Sequence, residues 1–473
     1  MLRRLGSLAA FGLSCLMTLA VMECFFHWKH DGAFSHLNLY EEDYELGVRL
    51  RPGETQRLSF AGNPTTTVRV NDWGYRGEGW PPLLDDAPPE VLVVGDSQVF
   101  GLGVEADETF SARLEERLGR PVLNAGVPTY GPGEYATAAR RLLADRPVDT
   151  VVVVINLYND LFEASRPNSR RHVVWDGWAV RSETAPADFW RFPGRRALLR
   201  SSHLLFAARR AWYLSDAPNT SVAAESEGSW SDVVVMADAT REQTATLDAE
   251  RREQRAALER AMADAERTIE ELALTDRDSP LHLRSPSDEM AWEAAVKSPG
   301  DIVYDRYAEA SRPIEVTAEM IRLGAELREQ TLAAAREMSG REGAVAAQLD
   351  EASEELEALA KPAVVSPVAP HLHAMAADCR AAGARLVVVA LPMDVQVSQS
   401  EWAKYALSPQ DMSSTLGLNQ DILTAAGDAG ASGLDALPAL AGAEPGAFLH
   451  GDLHMTAKGH QALADALYAH LTE

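Results

Sequence analysis

The sequence predicts an α/β fold: a five-stranded parallel sheet with helices on both faces, a three-layer α/β/α sandwich, interrupted by an α-helical coiled-coil hairpin. Three observations carry this. Apolar, largely β-branched runs at residues 91–95, 122–125, 150–156, 385–391 and 434–436 suit strands buried on both faces. Helical patterns at 108–118, 133–144, 371–382, 418–426 and 456–471 alternate with them, and right-handed crossovers place such helices on both sides of the sheet. The alternation stops at Leu161 and resumes near His371, a gap too long for a loop and therefore read as a unit of its own.

In chain order, Arg3 and Arg4 precede an uncharged apolar run at residues 5–22, followed by Glu23 and then Phe25, Phe26 and Trp28. This reads as a signal anchor over residues 1–29, with its basic end in the cytoplasm and an aromatic collar at the far interface. A cleaved signal peptide ending near Ala20 is the rival. Either reading puts the remainder outside the cytoplasm: a periplasmic domain on an inner-membrane anchor, or a secreted protein. Residues 30–89 form a small β lead-in and linker, with short strands expected at 46–50, 57–60 and 66–70 between Pro- and Gly-containing turns. The core then occupies 90–165 and 370–473, around an insertion at 166–369.

The insertion has two parts. Residues 166–237 are irregular and rich in Trp and Arg; Arg195, Arg196, Arg200, Arg209 and Arg210 among leucines read as a helix covering the sheet edge with solvated arginines, or as one lying on an anionic membrane. Residues 238–361 are helix formers. Leu258, Met262, Ala265, Ile269 and Leu272 repeat at alternating spacings of 4 and 3, as do Val316, Met320, Leu323 and Leu327, and Leu349, Ala352, Leu356 and Leu359 continue the spacing. An antiparallel helical hairpin follows, with a solvated charged face or a surface for a protein partner or a second copy.

Composition excludes more than it assigns. With 44 basic against 70 acidic side chains the net charge is −26, which argues against a nucleic-acid partner, since a phosphate backbone needs clustered cations. Cys15, Cys24 and Cys379 offer neither a disulfide framework nor a zinc spacing, so no metal and no cofactor is expected.

The chemistry-bearing residues fall at one edge of the predicted sheet. Ser97 follows the first strand, where open α/β sheets place their ligands. Asn124-Ala125-Gly126 ends the second strand, Asn159 follows the third, and Asp452-Leu453-His454 precedes the last helix. A serine becomes nucleophilic beside a neutral imidazole whose other nitrogen is held by a carboxylate. His454 is thus the candidate base and Asp452 its orienter, with Ser97 N–H, Gly126 N–H and the Asn159 amide as oxyanion donors. Asp96 reads as a local hydrogen-bond acceptor and His460, in the last helix, as structural; His450 is a candidate for lining the cleft.

The pieces GDSQVFG, NAG, YND and DLH, in that order, resemble the four blocks of the SGNH (GDSL-type) hydrolase superfamily, with Ser97, Gly126, Asn159 and His454 at its naming positions. The segment VNDWGYR at 70–76 is similar to what precedes the first block in membrane-anchored bacterial members. The resemblance implies a flavodoxin-like sheet of order 2-1-3-4-5 and metal-free esterase, lipase, deacetylase or O-acetyltransferase activity. Leu157 stands where the family usually has Gly. Asp452 and His454 are one residue apart where two usually intervene, which is similar to the polysaccharide O-acetyltransferases related to alginate-modifying enzymes. Three functions are therefore carried forward: a serine esterase on an acylated glycan or lipid, a polysaccharide O-acetyltransferase, and an inactive envelope scaffold working through its coiled coil.

Overall fold

In a computed structural model of the chain, residues 2–60, 62–83, 88–185, 192–216, 233–246, 249 and 366–473 are described. The chain divides into two compact units, Met1–Ala239 with Val365–Glu473, and Thr240–Val364. The helical hairpin expected over 238–361 lies outside the described residues beyond its first turns. The first unit holds the N-terminal apolar helix, the lead-in and the central sheet.

Helix α1 (Leu2–Lys29) contains the stretch Ala10–Lys29, long and apolar enough to cross a membrane and compatible with an anchor or a signal peptide. The lead-in is two antiparallel pairs, β1 (Tyr40–Asp43) with β2 (Gly47–Leu50), and β3 (Thr55–Leu58) with β4 (Thr66–Arg69). Three of these strands match the alternation in the sequence; β1, with its acidic YEED, does not look like a strand and is formed through its pairing.

The central sheet is parallel and five-stranded. Its strands are β5 (Glu90–Gly95), β6 (Val122–Gly126), β7 (Val148–Asn156), and, after an antiparallel hairpin of β8 (His172–Trp175) and β9 (Trp178–Arg181), β10 (Arg385–Leu391) and β11 (Ser432–Asp435). They lie in the order β6-β5-β7-β10-β11. The Val-rich runs of β5 and β7 are fully buried, as strands covered on both faces must be. Chain segments on both sides of the second unit thus share one sheet, because β10 pairs with β7 along its length.

Short-range chemistry sets the connecting helices. Helix α2 (Ser97–Phe100) is a single turn between the Asp96 cap and left-handed Gly101. In α3 (Phe110–Leu118) the Thr109 hydroxyl accepts from Ala112 N–H, and α4 (Pro132–Asp145) starts with Pro at its first position. Helix α5 (Asp160–Glu163) and helix α6 (Asn168–Arg171) follow β7. Residues Val91, Val93, Val152, Val154, Val387 and Val389 share a core with Phe110, Leu114, Leu463 and Leu467, so α3 and the last helix press on the sheet together.

Of the five arginines in the arginine-rich region, Arg210 is exposed and the other four are paired with protein groups. The region forms α7 (Arg195–Ser201) and α8 (His203–Asp216). Arg195 pairs with Asp176 at 2.6 Å, Arg200 with Glu54, and Arg196 donates to the Tyr40 carbonyl at 2.7 Å. Arg209 lies 4.0 Å from the Trp178 ring centre and donates to the Trp175 carbonyl. The planar heads of these four find carboxylates, carbonyls and ring faces in the lead-in and the β8–β9 hairpin. Glu23 of α1 accepts from Ser202 Oγ and from the His203 and Leu204 N–H groups, capping the start of α8.

Candidate active site

The turn after β5 sets the position of Ser97. Gly95 is required there by contact, since a Cβ would lie 2.3 Å from the Val99 side chain. Asp96 then accepts from Gln98 N–H and from Asn156 Nδ2, each at 2.8 Å, so it acts as cap and strand-to-strand tie. Burial pushes its carboxyl up, opposed by the Asn156 and Gln98 bonds, the His454 charge and the Asn159 amide. Ser97 follows as the first residue of α2; its N–H has no acceptor among the described residues, as expected for a helix start.

Ser97 Oγ lies 2.7 Å from His454 Nε2, and His454 Nδ1 lies 2.5 Å from Asp452 Oδ1. The same Asp452 oxygen accepts from His454 N–H at 2.8 Å, which a spacing of one intervening residue permits. Asp452 and His454 are buried, at 2% and 6% exposure, so the imidazole is held away from competing water. Burial alone would raise the Asp452 carboxyl, but the His454 charge and hydrogen bonds, with Lys404 nearby, hold it below the usual carboxylate range. The ring of Phe60 stands edge-on to His454 at 5.2 Å.

Gln98, next to the serine, clamps the loop bearing the other two: its Nε2 donates to the Leu453 carbonyl at 3.1 Å and its Oε1 accepts from Met455 N–H at 3.3 Å. Arg76, from the lead-in, buries its guanidinium against the carbonyls of Phe100, Gly101 and Val104 and so braces the far end of α2. Burial lowers its pKa to about 10, leaving it charged at neutral pH.

Of the three expected oxyanion donors, two already have acceptors. Gly126 N–H donates to Asn124 Oδ1 at 3.0 Å, and a Cβ at 126 would meet Phe100 N at 2.3 Å. The glycine serves the close approach of α2, and its N–H closes an Asx turn. Asn159 heads α5 beside Asp96; its amide gives a long bond, 3.3 Å, to Glu163 Oε2 and also bonds the Asp96 carboxyl. Glu163 is in turn held at 2.7 Å by buried Arg171. Arg171 also donates to the carbonyl of Thr129, whose φ of 86° is an outlier for a β-branched residue.

His460 is buried and accepts from Phe110 N–H; burial lowers it to about 3, so it is neutral and structural. His450 is exposed, and its carbonyl accepts from Asn63. Among the described residues no group of His, Cys, Asp and Glu could hold a metal. Gln98, Arg76, Phe60 and Lys404 were not singled out by sequence, although Gln98 lies within GDSQVFG and Arg76 ends VNDWGYR.

No family model and no curated protein matches the chain.

Proposed function

We propose that this chain is a serine esterase of the SGNH (GDSL) type, acting on an acylated extracytoplasmic glycan or lipid. The observation that carries the reading is the unbroken hydrogen-bonded line Ser97–His454–Asp452 at the carboxyl edge of a parallel sheet. In that reading the fold is a flavodoxin-like three-layer sandwich of order 2-1-3-4-5, α1 anchors it in the inner membrane with the site in the periplasm, and the second unit is a coiled-coil insertion whose charged face is solvated or meets a protein partner or a second copy.

His454 Nε2 takes the Ser97 proton as Oγ attacks the ester carbonyl, and Asp452 stabilises the resulting imidazolium. The oxyanion is received by Ser97 N–H and by the Asn159 amide, which exchanges its long bond to Glu163 for a charge-assisted one. The imidazolium then protonates the departing alcohol, leaving an acyl-serine that water resolves by the same steps in reverse. The single residue between Asp452 and His454 favours a second reading, in which a glycan hydroxyl takes the acyl group.

The test is hydrolysis of p-nitrophenyl acetate by the full chain in detergent, with Ser97→Ala and His454→Ala. Loss of activity in both variants supports the reading, and equal activity in all three overturns it. Faster turnover with an acetylated product on adding a glycan acceptor selects transfer over hydrolysis.

A further inference from the structure

The loop that carries Asp452 and His454 is held from a second side by a buried cation. Lys404 lies in the 3₁₀ segment Gln399–Tyr405, which follows β10. Its Nζ donates to the main-chain carbonyl of Asp452 at 2.6 Å and reaches that of Leu449 at 3.4 Å. It also pairs with Asp394 at 3.0 Å and Glu401 at 2.5 Å, and sits 5.6 Å from the Phe448 ring centre. Its side chain is 8% exposed and that of Asp394 is 0% exposed.

An ammonium has three protons. Here four acceptors, the Asp394 and Glu401 carboxylates and the Asp452 and Leu449 carbonyls, share them, so Lys404 has none to spare for a reacting group. Asp394 is itself fixed, with Tyr405 O–H donating to one oxygen at 2.7 Å and Val395 N–H to the other at 2.8 Å. The anchor is therefore rigid and rooted in the end of β10, the strand next to β7. Leu449 and Asp452 flank the turn from which His454 projects, and that turn closes on itself through Leu449 N–H to the His454 carbonyl at 2.8 Å. Gln98 grips the same loop at Leu453 and Met455.

We propose that Lys404 is a positioning residue for the Ser97–His454–Asp452 line: its ammonium fixes the main chain of Asp452 and thereby the place of the carboxylate that orients His454. This rests on the esterase reading above. Reaction geometry is steep in distance, and a displacement of about 1 Å can cost on the order of 10²-fold in rate.

The experiment uses the full chain in detergent. Lys404→Met strands the Asp394 and Glu401 carboxylates and threatens folding, so it is paired with the triple variant D394N/E401Q/K404M, which leaves no charge in the cluster, and with Lys404→Arg. Two readouts are taken: kcat and KM on p-nitrophenyl acetate, and the downfield proton NMR signal of the short His454 Nδ1–H···Asp452 bond, assigned by its loss in Asp452→Asn. The expected result is a kcat lowered on the order of 10²-fold at unchanged KM in the triple variant, partial recovery in Lys404→Arg, and a downfield signal lost or broadened while the fold melts cooperatively. A folded triple variant that keeps both the wild-type signal and the wild-type kcat overturns the proposal. If Ser97→Ala proves as active as wild type, the esterase reading fails alone; the NMR signal still reports whether Lys404 holds the Asp452–His454 pair.

Discussion

Asp452→Asn separates the charge of the orienter from its shape. Oδ1 accepts both the Nδ1–H and the main-chain N–H of His454, so asparagine keeps an oxygen where both bonds end and loses only the negative charge. That charge matters when the imidazole becomes imidazolium. Two unit charges about 4 Å apart attract by about 4 kcal/mol at an effective dielectric constant near 20. At 1.36 kcal/mol per decade, the acylation rate should fall by about three orders of magnitude. The second carboxylate oxygen is buried without a partner among the described residues, so the new NH₂ group is unsatisfied there and costs about 1–3 kcal/mol of stability. Rates are therefore read per folded molecule, as the p-nitrophenol burst of the full chain on p-nitrophenyl acetate, with Ser97→Ala as the zero line. An Asp452→Asn burst within about tenfold of wild type would leave under about 1.4 kcal/mol for the charge, and the role given to Asp452 would be refuted.

Gly126→Ala puts a Cβ 2.3 Å from the main-chain nitrogen of Phe100, where no flexible side chain can yield. It should lose about 1–3 kcal/mol or more in urea denaturation but keep its acylation rate per folded molecule; a stable variant with a collapsed rate would restore Gly126 N–H as an oxyanion donor. Asp160 is buried, accepts from Tyr135 O–H at 2.8 Å and Asn156 N–H at 2.7 Å, and burial beside Asp96 and Glu163 pushes its carboxyl well above 3.8. The folded state thus holds a proton that the unfolded chain releases, and stability falls as the pH rises from the unfolded value through the folded one. Asp160→Asn removes that fall, so its advantage over wild type should grow with pH; identical pH–stability curves for the two proteins would refute the raised value. Thr129→Gly relieves a left-handed threonine, worth about 1–2 kcal/mol, against about 0.5–1 kcal/mol for the freedom of glycine. It should be neutral or stabilising in thermal unfolding, and a clear loss would place the strain elsewhere.

The sheet was legible because burial on both faces leaves little choice of residue: β5, β7 and β10 must be continuous Val, Ile and Leu, and no amphipathic helix reads that way. Ser97 and Asn159 were legible because polar groups just past the ends of such strands stand out against the runs before them, and Asp452 and His454 because they put a carboxylate and an imidazole in one loop before the last helix. What was hidden are the groups that hold those residues still. Gln98, Lys404 and Arg76 each hold main-chain groups, and a carbonyl belongs to every residue, so no complementary side chain marks the partner in the sequence. The solvated-arginine expectation fits exposed Arg210 and misses Arg196 and Arg209 for the same reason, since both end on carbonyls. Gly126 shows a further degeneracy. A glycine needed for an open N–H and one needed for the close approach of a helix are the same letter, and only the 2.3 Å to Phe100 separates them. Thr129 carries no local signal for a left-handed turn at all; that conformation is imposed from outside, by Arg171 on its carbonyl and Asn168 near its hydroxyl. Strain of this kind persists only where surrounding contacts over-determine the backbone, and here Arg171 also holds Glu163, which holds Asn159. The strained turn and the Asn159 amide thus share one buried guanidinium, so a change at Arg171 should disturb both together.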